Sequence, residues 1–173
     1  MSRMASDLRA SSSLLIRDLL FSMVVPGAGA VWVPWWILMS GQTSPTPRAW
    51  PAVAVIAVGI AGYPWCLWVF AVVGRGTPGP WDAPRRFVAV GPYRWVPNPI
   101  YLSALLVMLG EAWLFLSPAL LAYALAAAAV FHLFVVGYEE PTLARRFGKT
   151  YASYRRSVPR WVARPPRRMR SLP

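Results

Sequence analysis

Long apolar runs, separated by short segments that hold nearly all the charge, dominate the pattern along this chain. A membrane-spanning helix needs roughly 20 apolar residues, and Leu19 to Met39 and Ala49 to Gly74 each supply such a run. A second pair follows, Pro99 to Leu116, apolar except for Glu111, and Ala119 to Tyr138, apolar except for His132, with only Ser117-Pro118 between them. So short a connection predicts two antiparallel helices lying side by side. After Glu139-Glu140-Pro141 the period changes. Leu143, Phe147, Tyr151, Tyr154 and Val158 recur at three- and four-residue spacing, while Arg145, Arg146, Lys149, Arg155 and Arg156 take the other faces. That is the pattern of an interfacial amphipathic helix, expected to anchor the tail on the inner leaflet and to roof the hairpin. The expected fold is an all-α integral membrane protein with about four transmembrane helices, a C-terminal helical hairpin and an interfacial amphipathic cytoplasmic helix. It divides into a segment over 1–18, two spans over 19–73, and the hairpin with its basic tail over 74–173. Pro26, Gly27, Gly29, Pro34 and Pro64 predict kinks inside the first two spans.

Composition agrees with this setting, since 57% of the 173 residues are hydrophobic and only 14% are charged, too apolar for an ordinary soluble domain. The charge is also unevenly placed. Arg3, Arg9 and Arg17 precede the first span, Arg75, Arg85, Arg86 and Arg94 lie between the second and third, and ten basic residues follow the fourth, against Arg48 alone in the first-to-second loop. Lys and Arg in short loops stay cytoplasmic, so both termini are expected on the cytoplasmic side of the cell membrane. A cleaved signal ending near Ala28-Gly29-Ala30 is rejected, because the apolar run continues to Met39. The net charge of +12 sits beside apolar helices, where anionic inner-leaflet lipids are nearer partners than nucleic acid. Cys66 is the one cysteine, which leaves no internal disulfide and no ligand-spaced companion for a metal.

Two adjacent carboxylates at the end of a lipid-embedded helix are costly unless paired or ligand-bound. Glu139 and Glu140 are therefore site candidates, with a salt bridge to Arg94, Arg145 or Arg146 as the alternative. Ahead of the hairpin stands a second constellation, Gly91-Pro92-Tyr93-Arg94-Trp95-Val96-Pro97-Asn98-Pro99-Ile100-Tyr101. Trp95 suits an interfacial aromatic belt. Pro99 at a helix start leaves the next amides free as donors.

A Gly-x-Tyr turn, a Pro-x-Tyr helix start, a helical hairpin, an adjacent Glu pair, then Leu143, Phe147-Gly148, Tyr151, Tyr154 and Val158-Pro159-Arg160 occur in that order. Over roughly Gly74 to Arg164 this set resembles the membrane-embedded methyltransferases that include isoprenylcysteine carboxyl methyltransferase and phosphatidylethanolamine N-methyltransferase. The resemblance implies S-adenosyl-L-methionine as cofactor, making 74–173 the cofactor-binding region, with Val90, Gly91, Pro92, Tyr93, Asn98, Tyr101, Ser103, Glu139 and Glu140 as its binding residues. It implies methyl transfer to a lipophilic, membrane-embedded lipid or isoprenoid-type acceptor. No dinucleotide-type Gly-rich loop is present, which excludes a soluble Rossmann methyltransferase. An amine or hydroxyl acceptor needs a proton sink, and Glu140 and His132 are the catalytic candidates.

Two departures from the family pattern bear on the acceptor. Asn98 stands where these enzymes carry histidine, so no ionisable imidazole is available there. Val135 stands where the isoprenylcysteine enzymes carry an arginine, and a buried carboxylate substrate without a cation is unfavourable. An amine, hydroxyl or other lipid acceptor gains weight over prenylcysteine. His132, about two turns from Glu139, is the substrate-side candidate, with a single hydrogen bond to a neighbouring element as the alternative. Glu111 is expected either protonated or paired to Tyr123 across the hairpin. The other functional readings are an NADPH-dependent membrane reductase of the sterol or steroid type and a non-catalytic membrane scaffold.

Overall fold

A computed structural model describes residues 28–41, 49–74 and 87–163, and among them every regular element is helical. Helices α1 (Ala28–Ser40), α2 (Ala52–Gly74), α3 (Pro99–Leu114) and α4 (Pro118–Phe134) are apolar, and α5 (Glu140–Ser157) is amphipathic. The 1–18 segment, the start of the first apolar run, and Arg48, Arg75, Arg85, Arg86, Arg164, Arg167, Arg168 and Arg170 lie outside the described residues.

Prolines decide where these helices begin and where they widen. Pro99 and Pro118 occupy opening helical positions, where the missing N–H has no partner to lose. Ahead of Pro34 the chain takes a wide π-type turn, Ala28–Trp32, and α2, which contains Pro64, ends in another, Phe70–Gly74. The turn ahead of Pro34 includes Ala30, whose carbonyl the Pro34 ring would otherwise meet.

The hairpin corner is held by the backbone and by Ser117. Ser117 N donates to Ala112 O at 3.0 Å, closing α3, and Leu116 takes the left-handed conformation at φ +48 that such a closure requires. Ser117 Oγ then accepts from Leu120 N at 3.3 Å, capping α4. The predicted antiparallel hairpin is present.

Small residues bring α2 against α3 in antiparallel fashion. A Cβ added at Gly59 would lie 2.6 Å from Ser103 O, and one added at Gly110 would lie 2.6 Å from Ile56 Cγ1 and 3.2 Å from Ile56 N. Ala52, beside Gly110, is fully buried. Lipid tails are as apolar as leucine, so close backbone approach through glycine and serine is what binds such helices together. On the other side of α3, Leu105 and Met108 pack on Ala124 of α4 and Ala30 of α1, while Ala112, Leu120 and Leu38 form a second cluster. Tyr123 Oη donates to Gly29 O at 2.8 Å. The Tyr123 hydroxyl thus donates to Gly29 rather than to Glu111, and Glu111 Oε2 is buried with no hydrogen-bond partner among the described residues.

The outer surface is apolar, with Trp35, Trp36, Trp68, Val58, Leu125 and Leu133 all exposed. Patches of this extent mark contact with lipid or protein rather than water. Two stretches, Ala52–Gly74 and Pro118–Ser157, are long and apolar enough to cross a membrane, while Ala28–Ser40 and Pro99–Leu114 are shorter. The 16 residues of α3 cover about 24 Å at 1.5 Å per residue. Four apolar helices are present, as expected, but not four of equal length.

The largest departure from the predicted pattern lies after α4. The apolar run predicts a stop at Tyr138, yet the chain stays helical through the wide turn Val135–Glu139 into α5, and breaks instead at Gly148, where φ is +50. The apolar face of α5 does not lie free for the leaflet. Tyr151, Tyr154 and Val158 pack on Phe87, Ala89, Leu143 and Phe147, with the Phe87 ring centroid 5.0 Å from that of Tyr154.

Gly59→Ala is expected to lower stability by about 1–3 kcal/mol, because its Cβ meets backbone that cannot move aside. Gly137→Ala, whose Cβ meets nothing within 4 Å, is expected to be neutral or slightly stabilising. Thermal unfolding of the two variants in detergent, monitored by helical circular dichroism, checks this difference.

Candidate active site

The turn that opens the candidate site depends on one glycine. Gly91 has φ +58, and a Cβ there would sit 3.1 Å from Val69 Cγ2 at the end of α2. The single 3₁₀ turn Gly91–Arg94 follows, closed by Tyr93 N to Val90 O at 3.2 Å and Trp95 N to Pro92 O at 3.0 Å. It turns Tyr93 inward against Cys66, Val69 and Val88. The Tyr93 carbonyl accepts from Tyr154 Oη at 2.5 Å, which ties the turn to α5. The Tyr93 hydroxyl is buried with no hydrogen-bond partner among the described residues. Burial pushes this phenol well above its ordinary range, reinforced by nearby Cys66, Tyr154, Glu139 and Tyr101. It therefore remains a protonated donor.

Tyr101, in the first turn of α3, donates to Glu139 Oε1 at 2.5 Å, and its ring lies 4.9 Å from that of Phe131 in α4. This contact spans the hairpin at the end where the Gly91 turn sits. The described residues give Glu139 no ion pair. Both salt bridges instead go to Glu140, whose Oε1 is 2.6 Å from Arg160 Nε and whose Oε2 is 3.0 Å from Arg155 Nη2. Arg160 Nη2 completes a two-pronged contact at 3.0 Å. The alternative partners do otherwise: Arg145 donates to Thr142 Oγ1, Arg146 lies over the Phe147 ring, and Arg94 is exposed. Adjacent in sequence, the two glutamates thus have different duties. Glu139 faces the hairpin, and Glu140 clamps the tail.

Of the remaining expected residues, Asn98 is buried and donates through Nδ2 to Arg160 O at 3.4 Å. As the residue before α3 it makes no side-chain cap, so no side chain of its own occupies the first amides of that helix. Val90 is exposed and Pro92 half-buried at the rim of the turn. Ser103 does not join the group, because it is buried against Gly59 and Gly62 where α2 meets α3. Val135 is 1% exposed. His132 is exposed, and its Nδ1 accepts from Trp161 Nε1 at 3.0 Å with the two rings tilted together. That bond puts the ring hydrogen of neutral His132 on Nε2.

Sequence reasoning did not find Arg155, Arg160 or Trp161. Arg160 belongs to the ordered motif Val158-Pro159-Arg160, but nothing in its spacing discloses that the chain folds back onto Glu140. A groove of about 210 Å³ opens beside this clamp, walled by Pro97, Tyr151, Arg155 and Arg160.

Residues 48–150 match the family model of phospholipid methyltransferases, well over half of the 173 residues. The chain belongs to the phospholipid methyltransferase family. No curated protein matches it. The family match covers α2, the Gly91 turn, the hairpin and the Glu pair, and ends within α5 at residue 150. Tyr154, Arg155, Arg160 and Trp161 lie beyond it. As a member of a lipid methyltransferase family with an apolar outer surface, the chain is a membrane protein.

Tyr154→Phe is expected to cost about 1–3 kcal/mol, because it strands a buried carbonyl at Tyr93. Hydrogen exchange at the amides of Val90 to Trp95 is expected to quicken more in this variant than exchange within α3.

Proposed function

We propose that this phospholipid methyltransferase family member transfers a methyl group from S-adenosyl-L-methionine to a membrane-embedded lipid acceptor, with the cofactor held on the cytoplasmic side between the Gly91 turn, the start of α3 and Glu139. The observation that carries this reading is the coexistence of a buried, unpartnered Tyr93 hydroxyl with a Glu139 carboxylate whose one protein partner among the described residues is Tyr101. A donor and an acceptor left over in one place suit a ligand that offers hydroxyl, ammonium and carboxylate groups together.

When bound, the cofactor supplies an electrophilic methyl on a sulfonium centre. Glu139 would accept hydrogen bonds from ribose hydroxyls or an ammonium and would offset the sulfonium charge. The first amides of α3 and the Tyr93 hydroxyl would donate to oxygen atoms. Tyr101 keeps the Glu139 carboxylate pointed at the hairpin, and its ring adds an aromatic face for a cation. Positioning of acceptor against methyl can contribute about 7–11 kcal/mol, and α5 over Phe87 and Ala89 supports exclusion of water from the nucleophile.

The proton of an amine or hydroxyl acceptor needs a base. Glu140, proposed for this from sequence, has both oxygens engaged by guanidinium groups, which suits it to anchoring. His132 becomes free to take a proton on Nδ1 only when Trp161 releases it. Val135, apolar and buried, supports an acceptor other than a prenylcysteine carboxylate.

Calorimetric titration of the detergent-purified protein with S-adenosylhomocysteine tests the reading. Binding is expected in the wild type, and is expected to weaken by about tenfold or more in Glu139→Gln and by a smaller factor in Tyr101→Phe, with melting temperatures showing that both remain folded. Binding of NADPH in place of S-adenosylhomocysteine would turn the assignment to a reductase, and binding of neither would favour a non-catalytic scaffold.

A further inference from the structure

Around Glu140 the charge count is unbalanced. One carboxylate, 10% exposed in its side chain, is shared by two guanidinium groups, Arg155 at 52% and Arg160 at 30% exposure. The clamp therefore carries one net positive charge, and both arginines retain N–H donors that Glu140 does not use. These donors border the groove of about 210 Å³. Tyr151 lines the same groove. Val158 and Pro159 complete it with apolar surface, and Pro97 places it at the uncapped amino end of α3, the positive end of that helix.

We propose that this groove binds a phosphate group through Arg155, Arg160 and the Tyr151 hydroxyl. The planar guanidinium fork matches phosphate oxygens in geometry as well as charge, and the apolar surface gives a place for the carbon substituents of a phosphodiester. Two sources offer the same chemistry, the headgroup of a phospholipid and free inorganic phosphate. The choice of a lipid source rests on the methyl-transfer reading above, because Glu140 adjoins Glu139 and a headgroup seated here would lie beside the proposed cofactor site. The phosphate site itself does not depend on that reading.

The test is calorimetric titration of the full chain in uncharged maltoside micelles with dihexanoylphosphatidylethanolamine, inorganic phosphate and dodecylamine, on the wild type, Arg155→Gln and Tyr151→Phe. Arg155 is chosen over Arg160 because Arg160 grips Glu140 through two nitrogens and Arg155 through one. The phospholipid is expected to bind about tenfold more weakly to Arg155→Gln and about threefold more weakly to Tyr151→Phe. S-adenosylhomocysteine binding to both variants is expected to stay near the wild-type value, which reports that fold and cofactor site are intact. Weakening confined to the phospholipid identifies a lipid headgroup as occupant, and equal weakening for inorganic phosphate identifies a soluble phosphate. Unchanged phospholipid affinity in both variants, or dodecylamine binding as tightly as the phospholipid, overturns the proposal. If the wild type binds no S-adenosylhomocysteine yet loses phosphate affinity in the variants, the methyl-transfer reading fails while the phosphate site stands.

Discussion

The wide turn Val135–Glu139 ahead of Pro141 is the constraint on which the arrangement of the site depends. Pro141 has no backbone N–H to return to Gly137. The chain instead bonds Glu140 N to Val135 O, one residue further back than in an α-helix. The helix therefore continues past the end of the apolar run while changing its facing. Glu139 meets Tyr101 on the hairpin side and Glu140 meets Arg155 and Arg160 on the tail side. A regular α-helix broken by the proline would not hold both contacts in one rigid element.

Two further contacts bring the other walls to this turn. Glycine and serine at the α2–α3 interface let the backbones approach, so Val69 at the end of α2 reaches Gly91, and the left-handed φ of Gly91 lets the chain turn there without strain. Tyr154 then reaches back from α5 to the carbonyl of Tyr93. Each contact joins residues distant in sequence, and each joins one wall of the candidate site to another. Removing any of them loosens a wall without touching a group that faces the proposed ligand.

Much of this was legible in the residues. Runs from Ala49, Pro99 and Ala119 marked apolar helices, Ser117-Pro118 marked the hairpin corner, and the ordered motifs pointed to the family that the match over residues 48–150 establishes. Glu139 and Tyr101 were singled out as neighbours of one site and are hydrogen-bonded. Ser103, expected beside the cofactor, lies where α2 meets α3, because a small residue in a membrane helix serves equally for cofactor approach and for helix contact. The partners of the Glu pair were sought among Arg94, Arg145 and Arg146. Arg145 and Arg146, the nearest on α5, point elsewhere, and the cations that reach Glu140 lie 15 and 20 residues beyond it.

By itself the sequence determined the apolar helices, the hairpin, the amphipathic period of α5 and the presence of two carboxylates that need partners. These follow from hydropathy, turn chemistry and the cost of charge near lipid, all local properties of the chain. Only the tertiary structure decided that Glu140 is clamped by two arginines while Glu139 meets Tyr101, that Trp161 holds His132, and that the apolar face of α5 is covered by Phe87 and Ala89. Those outcomes depend on where the chain after α5 folds back and on how closely α2 approaches α3. Long-range contacts of that kind carry no period or spacing in the sequence.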